Sequence, residues 1–200
     1  MSKKELPSLL DELTTIDQLH SLLKIYKDNN KDVVRLSGNK SDLIENILDC
    51  MGLSIIPFEK VYELIQDAEE FGNQYIYLYE TVHSHFNKVY NNGKSVKSNI
   101  LKNRSQKDFP KITLIPSKFE WVDFRVPNRG VENSWLGKIY DKKEREVLKN
   151  ETVSAGQRTV VYEIESTRVV YVVHWNGKGN LEYRISRTSY DSAKSLNECL

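Results

Sequence analysis

The residues of this chain that could do chemistry are few, and the first group is a pair of histidines. His83 and His85 enclose Ser84, and on a β-strand both imidazoles would point to one face, where they could bind a metal ion. A zinc site needs three or four protein ligands. Because no further His, Cys or acidic cluster is spaced to complete the set, the sequence predicts no metal site and no cofactor.

Acidic residues offer no better case for catalysis. Glu163 and Glu165 share one face of a predicted strand, and Glu182-Tyr183-Arg184 has arginine where an acid–lysine nuclease motif would have lysine. We interpret these residues as a solvated strand face on which Glu pairs with Arg across a hairpin. The chain has no phosphate-binding glycine loop, no Gly-x-Ser-x-Gly and no Cys/His nucleophile pattern. We therefore expect no catalytic residues, unless the fold brings Asp123, Glu163 and His174 into one pocket.

Two groups of residues could instead bind phosphate, and the first is the turn Gly38-Asn39-Lys40. Gly38 permits a tight backbone turn, and Asn39 can cap the helix that follows. The free N–H groups and the dipole at the start of that helix favour an anion, and Lys40 adds a full positive charge.

The second group lies in residues 84–111, the most basic stretch of the chain. This stretch contains seven Lys or Arg residues and one acidic residue, Asp108, so its net charge is +6. Phe86, Tyr90 and Phe109 lie between the basic residues and could stack on bases. The alternative is a solvated loop. The predicted phosphate contacts in this stretch are Lys88, Lys94, Lys97, Lys102, Arg104 and Lys107.

The elements that must position these residues differ between the two halves of the chain. Apolar residues at helical spacing predict helix over residues 6–26, with a second start at the capping box Thr15…Gln18. Further helices are predicted after Asn39 and from Pro57 to Gly72. Residues 74–83 are aromatic and β-branched, which favours a strand over a helix.

The C-terminal half has the two-residue period of strands. Residues 111–116 and 119–126 are strand candidates, and residues 138–150 are either a short helix or an excursion between strands. Residues 158–165, 167–175 and 181–187 predict an antiparallel meander whose last turn is Asn176–Asn180. The fold class is therefore α+β, an N-terminal helical domain followed by an antiparallel β-sheet domain. The predicted boundaries are 1–83 for the helical domain, 84–110 for a basic linker or arm, and 111–200 for the β domain; residues 192–200 look like the start of a helix.

The segment from Leu36 to Leu48 resembles the SAP motif, in which a turn with glycine and lysine joins two helices. Gly38 and Lys40 match that turn, and an apolar second helix follows it, with Leu43, Ile44, Ile47 and Leu48. The resemblance covers about 35 of the 200 residues, and the loop before the turn is longer than is usual in the family. It implies binding of DNA, or sometimes RNA or protein, mainly through the phosphate backbone.

The layout of the chain is also similar to that of the centromere protein N family, which joins an N-terminal helical domain to a β-rich domain with a basic surface. Glu12–Thr15 and Thr159–Tyr162 are the residues that carry this looser resemblance. It implies a chromosome-associated role.

The composition limits the class of protein. The net charge is +1 and mean hydropathy is -0.55, and the two cysteines, Cys50 and Cys199, are too far apart for a disulfide framework. No apolar run is long enough to cross a bilayer, so we expect a soluble cytoplasmic or nuclear protein. The leading hypothesis is a non-enzymatic adaptor that binds DNA or RNA. The alternatives are a protein–protein interaction module and the N-terminal recognition portion of a larger protein.

Overall fold

The computed structural model describes residues 5–81, 84–102 and 109–187. The chain divides into two compact units, Met1–Gln74 and Tyr75–Leu200. The helices of the first unit and the antiparallel sheet of the second confirm the α+β class.

The first unit contains four helices: α1 (Leu6–Leu13), α2 (Ile16–Lys27), α3 (Lys40–Gly52) and α4 (Phe58–Phe71). The predicted second start is confirmed, because the Thr15 hydroxyl accepts from the backbone of Gln18 and the Gln18 side chain accepts from the backbone of Thr15. Gly72 ends α4 as predicted, whereas Pro57 is the N-cap and the helix begins one residue later, at Phe58. Apolar side chains from all four helices form the core, among them Leu9, Leu10, Leu19, Leu23, Leu43, Ile47, Val61 and Ile65.

The second unit is built on a five-stranded antiparallel sheet. Its strands are β1 (Gln74–Glu80), β2 (Glu120–Arg125), β3 (Trp135–Ser154), β4 (Gln157–Trp175) and β5 (Asn180–Ser186), in the spatial order β1-β5-β4-β3-β2. The strands predicted over 74–83, 119–126 and 181–187 are present with slightly different ends, and residues 82–83 lie outside the described residues.

The longest strands differ from the prediction. Residues 158–165 and 167–175 belong to one strand, β4, because Ser166 and Thr167 continue its pairing with β3. Residues 138–150 belong to β3, and from Glu144 onward the charged side chains of this strand alternate between two exposed faces. Residues 111–116 form no strand, because Pro110 and Pro116 have no N–H to donate to a ladder. A single ladder-like hydrogen bond is present, from the Lys111 N–H to Val122 O at 2.8 Å.

The stretch expected to be a linker or arm contains two helices, α5 (Ser84–Asn91) and α6 (Gly93–Leu101). Leu101 of α6 packs on the sheet with Phe124, Trp135 and Trp175. On the other face of the sheet a second core contains Val122, Leu136, Tyr140, Val170 and Val172.

Strands β3 and β4 extend beyond their neighbours. β2 pairs only with residues 136–140 of β3, and β5 pairs only with residues 171–175 of β4. From Lys143 and Thr167 to the turn at Ala155 and Gly156, the two strands pair with each other alone. We call residues 143–154 and 157–167 the β3–β4 ribbon.

Candidate nucleic-acid interface

Helices α5 and α6 are fixed to the sheet by aromatic contacts and two indole hydrogen bonds. The Tyr90 ring lies 5.2 Å from the Trp175 ring, centroid to centroid. The Trp175 indole N–H donates to Asn91 Oδ1 at 2.8 Å, and the Trp135 indole N–H donates to Tyr90 O at 2.9 Å. These contacts hold the basic segment in a defined position on the sheet.

The junction between the two helices is equally constrained. Asn92 caps α6 by accepting from the Ser95 N–H at 3.1 Å. Gly93 is buried, and a Cβ at this position would lie 2.9 Å from Val126 Cγ1 and 3.1 Å from Trp135 Cδ1. Residues 91–93 therefore form a tight turn between α5 and α6 that lies against the sheet.

Four of the predicted phosphate contacts lie on or next to these helices. Lys88, Lys94 and Lys102 are exposed and Lys97 is half-buried, and residues 84–102 contain no Asp or Glu. Phe86 is 48% exposed and lies on the same helix as Lys88. Arg104 and Lys107 lie outside the described residues. This stretch thus combines positive charge with an exposed aromatic ring, which is the composition that single-stranded nucleic acid binds.

The turn Gly38-Asn39-Lys40 has a different environment. Asn39 and Asp42 form a reciprocal cap: Asn39 Oδ1 accepts from the Asp42 N–H at 3.1 Å, and Asp42 Oδ2 accepts from the Asn39 N–H at 2.8 Å. Lys40 Nζ donates to the backbone oxygen of Asp11 and lies 3.7 Å from its carboxylate. Lys40 therefore connects α3 to the end of α1, and the prediction that Asn39 caps the following helix is confirmed.

The charges of the chain are divided between the two units. The first unit has eight Lys and Arg against fourteen Asp and Glu, a net charge of −6, and the second has twenty-one against fourteen, a net charge of +7. The net charge of the whole chain, +1, conceals this division. The division can be counted from the sequence only when the boundary after Gln74 is known. It favours the second unit as the partner of a polyanion.

Sequence reasoning missed a band of charged side chains across one face of the sheet. Asp123, Lys138 and Arg184 share one cross-strand row with Val172. Lys138 is 2% and Asp123 is 4% exposed. Because these side chains are buried, the band is part of the interior of the protein rather than an open surface. Charged groups are seldom buried without partners.

Glu182 and His174 occupy the next row, with His174 Nδ1 3.6 Å from Glu182 Oε2. Burial raises the pKa of Glu182. The hydrogen bond and positive charge of Arg184, with a smaller contribution from His174, lower this pKa by more than burial raises it. The net pKa of Glu182 is below its usual value.

The structure does not bring Asp123, Glu163 and His174 together. Glu163 pairs with Lys149 on the β3–β4 ribbon, and eleven residues of extended strand, about 36 Å, separate it from His174. Within residues 5–81, 84–102 and 109–187, no three His, Cys, Asp or Glu side chains are grouped as a metal site requires.

No family model, curated protein or solved structure matches this chain. Among the described residues, no helix is both long and apolar enough to cross a membrane.

Proposed function

We propose that this chain is a non-enzymatic nucleic-acid-binding protein and that helices α5 and α6 contact the phosphate backbone. The observation that carries the proposal is the set of four lysines in residues 84–102, a segment without a single acid that is docked firmly on the sheet. Lysines on a fixed surface neutralise phosphates and release counterions, which gives affinity without sequence specificity.

The division of charge supports the same assignment. A net charge of +7 attracts DNA or RNA to the second unit, whereas −6 repels it from the first. The SAP-like turn lies in the acidic unit, and Lys40 is held by Asp11. We therefore assign the phosphate contacts to Lys88, Lys94, Lys97 and Lys102 in preference to Gly38, Asn39 and Lys40.

The salt dependence of binding tests this assignment. Fluorescence anisotropy with a labelled duplex and a labelled single strand, repeated over a range of salt, gives the slope of log K against log salt. For Lys88→Ala/Lys94→Ala we expect the magnitude of the duplex slope to fall by about 1.8, since each phosphate contact contributes about 0.9.

Two control variants make the experiment specific. Lys24→Ala/Lys31→Ala removes the same charge from exposed positions of the acidic unit and should leave the slope unchanged. Lys40→Met should also bind normally. If Lys40→Met lowers the slope while Lys88→Ala/Lys94→Ala does not, the SAP-like turn is the phosphate site and our assignment is wrong. If the unmodified protein binds neither probe at low salt, the proposed function itself is wrong.

A groove between α2 and α4 favours a second candidate function, a protein–protein interaction module. Asp17, Glu63, Asp67 and Lys60 line the groove, Lys60 pairs with Glu63 at 2.6 Å, and Ile25 in the wall is 68% exposed. Its chemistry suits a basic peptide with an apolar anchor. Titration with a Lys- and Leu-rich amphipathic peptide, comparing Ile25→Asp with the unmodified protein, distinguishes this function from nucleic-acid binding.

A further inference from the structure

The sheet has two edges, and the edge formed by β2 is protected against pairing with a further strand. The register of the β2–β3 ladder shifts between Trp121 and Asp123, as at a β-bulge, and three of the six residues of β2 are charged. The β3–β4 ribbon, whose long edges are also open, carries nine charged residues. Bulges and charged side chains are the usual means by which proteins keep an exposed strand from pairing with another chain.

The edge formed by β1 lacks this protection. Among the described strands, β1 is the last one of the sheet beyond β5. It contains no Lys, Arg, Pro or Gly, and its only charged residue is the last one, Glu80. Ile76 is 58% and Leu78 is 71% exposed. An exposed, uncharged and apolar edge strand is a template for a further strand.

The contacts with β5 show which backbone groups of β1 point away from the sheet. The Thr81 N–H, directly after β1, donates to Gly179 O at 2.8 Å, and the Tyr77 and Tyr183 rings lie 6.3 Å apart, centroid to centroid. Alternate residues of an antiparallel strand direct their N–H and C=O groups to the same side. The odd-numbered residues of β1 therefore bond to β5, and the even-numbered ones direct both backbone groups outward: Gln74, Ile76, Leu78 and Glu80.

The sequence of β1 is nearly symmetric about Tyr77. Isoleucine and leucine flank this residue, tyrosines follow on both sides, and the ends are Gln74 and Glu80. When a second copy pairs antiparallel about a two-fold axis at Tyr77, Ile76 lies opposite Leu78 of that copy, and Gln74 lies opposite Glu80. All of these residues have outward backbone groups, so four pairs each exchange two hydrogen bonds, about eight in all. No two like charges meet.

Other two-fold registers satisfy fewer of these groups. An axis at Ile76 would set Glu80 opposite Gly72, where α4 ends, so the paired segment would be shorter. An axis at Leu78 would set Glu80 of each copy opposite Ile76 of the other. An axis between two residues would set outward groups against residues whose N–H groups already bond to β5. The register centred on Tyr77 is the one that pairs all seven residues of β1.

We propose that two copies of this chain associate edge to edge through β1, centred on Tyr77, so that their sheets form one continuous antiparallel sheet. The two-fold axis uses the same strand of both copies, and it covers both unprotected edges at once. The paired strand is about 23 Å long. Interfaces well below the standard size form transient complexes, so we expect an equilibrium in the micromolar range.

Analytical ultracentrifugation of the full chain, without nucleic acid, tests the association. Leu78→Pro removes an N–H that points outward, at the kind of edge position where a strand accepts proline. We expect this variant to raise the dissociation constant of the dimer at least about tenfold. Ile76→Lys places a charge on the edge and should have the same effect. Ile164→Lys makes the same substitution at a comparably exposed isoleucine of the ribbon and should leave the equilibrium unchanged.

Disulfide cross-linking tests the register. Tyr77 lies opposite itself in a non-hydrogen-bonded pair, in which the two Cα atoms are about 4.5 Å apart, a distance that a disulfide spans. The two copies of Tyr79 are displaced by four residues, about 13 Å along the strand. We therefore expect Tyr77→Cys to form a covalent dimer under mild oxidation. Tyr79→Cys, the matched control on the same face, should cross-link no more than the unmodified protein, and mass spectrometry of the linked peptides identifies the cysteines that react.

Circular dichroism confirms that each variant is folded. A protein that stays monomeric at the highest concentration measured would overturn the proposal. A dimer that both Leu78→Pro and Ile76→Lys leave intact would do the same, and so would equal cross-linking of Tyr77→Cys and Tyr79→Cys. Because these experiments contain no nucleic acid, their failure leaves the proposed function of α5 and α6 standing, and a dimer that binds neither duplex nor single strand would overturn only that function.

Discussion

At the scale of single residues, Lys40 and Lys94 illustrate how surroundings determine what a lysine does. Both lie in the first turn of a helix that an asparagine caps. Lys40 is held by Asp11 of another helix, whereas Lys94 is exposed in a segment without acids. An exposed lysine with no acidic residue nearby is available to bind phosphate. A lysine that already has a carboxylate partner is less available.

Gly38 is required by its backbone conformation. Its φ of +130° is one that L side chains rarely adopt, and an added Cβ would lie 2.7 Å from Asp42 Cβ, within the cap of α3. We expect Gly38→Ala to lower the free energy of unfolding by about 1–3 kcal/mol, measured by urea denaturation. Gly52→Ala is the matched control, because nothing lies within 4 Å of a Cβ there. Equal effects of the two substitutions would contradict this explanation.

Glu182 should make stability depend on pH in the acid range. Its pKa in the folded protein is below the usual 4.5, so it contributes stability at pH values above the unfolded pKa. That contribution is lost as the pH falls through the folded pKa. Arg184→Met removes the main cause of the lowered pKa. We expect this variant to be less stable at neutral pH and to lose less stability on acidification, as measured by denaturation at a series of pH values.

At the scale of elements, local signals were predictable and non-local ones were not. The caps at Thr15 and Asn39 involve residues three apart, so the sequence alone locates both helix starts. Helix α5, in contrast, is held by Trp135 and Trp175, which are 45 and 84 positions away from their partners. The segment therefore resembled a linker when its own residues were considered alone.

The prediction divided β4 into two strands and did not identify residues 138–150 as part of a strand, for a related reason. Alternation between apolar and polar residues reveals a strand that has one buried face. Both faces of the ribbon are exposed, so residues 143–150 show charge on either side. Likewise, the charged band of Asp123, Lys138 and Arg184 depends on pairing among four strands, which no local pattern contains.

The docking of α5 should depend on Asn91. Asn91→Ala leaves the indole N–H of the buried Trp175 without its acceptor, at a cost of about 1–3 kcal/mol. We expect faster amide hydrogen exchange in α5 and α6, together with weaker nucleic-acid binding. Asn99→Ala changes an exposed asparagine on α6 and should alter neither. Unchanged exchange in Asn91→Ala would show that the aromatic contacts alone hold the helices.

At the scale of the whole molecule, the separation of charge is the main electrostatic feature. Net charges of −6 and +7 nearly cancel in the total, which made the composition uninformative about partners. The unit boundary, a property of the folded chain, was needed before the asymmetry could be recognised.

The acidic unit should weaken nucleic-acid binding at long range. Asp32→Asn/Glu45→Gln removes two exposed acids of the first unit. We expect the affinity to rise about twofold at low salt and to be unchanged at physiological salt, where the Debye length is about 8 Å. Anisotropy titrations at both salt concentrations measure this. A loss of affinity would indicate that the first unit contacts the nucleic acid directly.

The indole contacts of α5 also determine what optical spectroscopy can detect. All three tryptophans, Trp121, Trp135 and Trp175, belong to the second unit, and two of them donate hydrogen bonds to the end of α5. Intrinsic fluorescence excited at the indole band is therefore a label-free probe of the second unit and of the attachment of α5. Melting of the four-helix unit contributes no indole signal of its own, and circular dichroism in the far ultraviolet is needed to follow it.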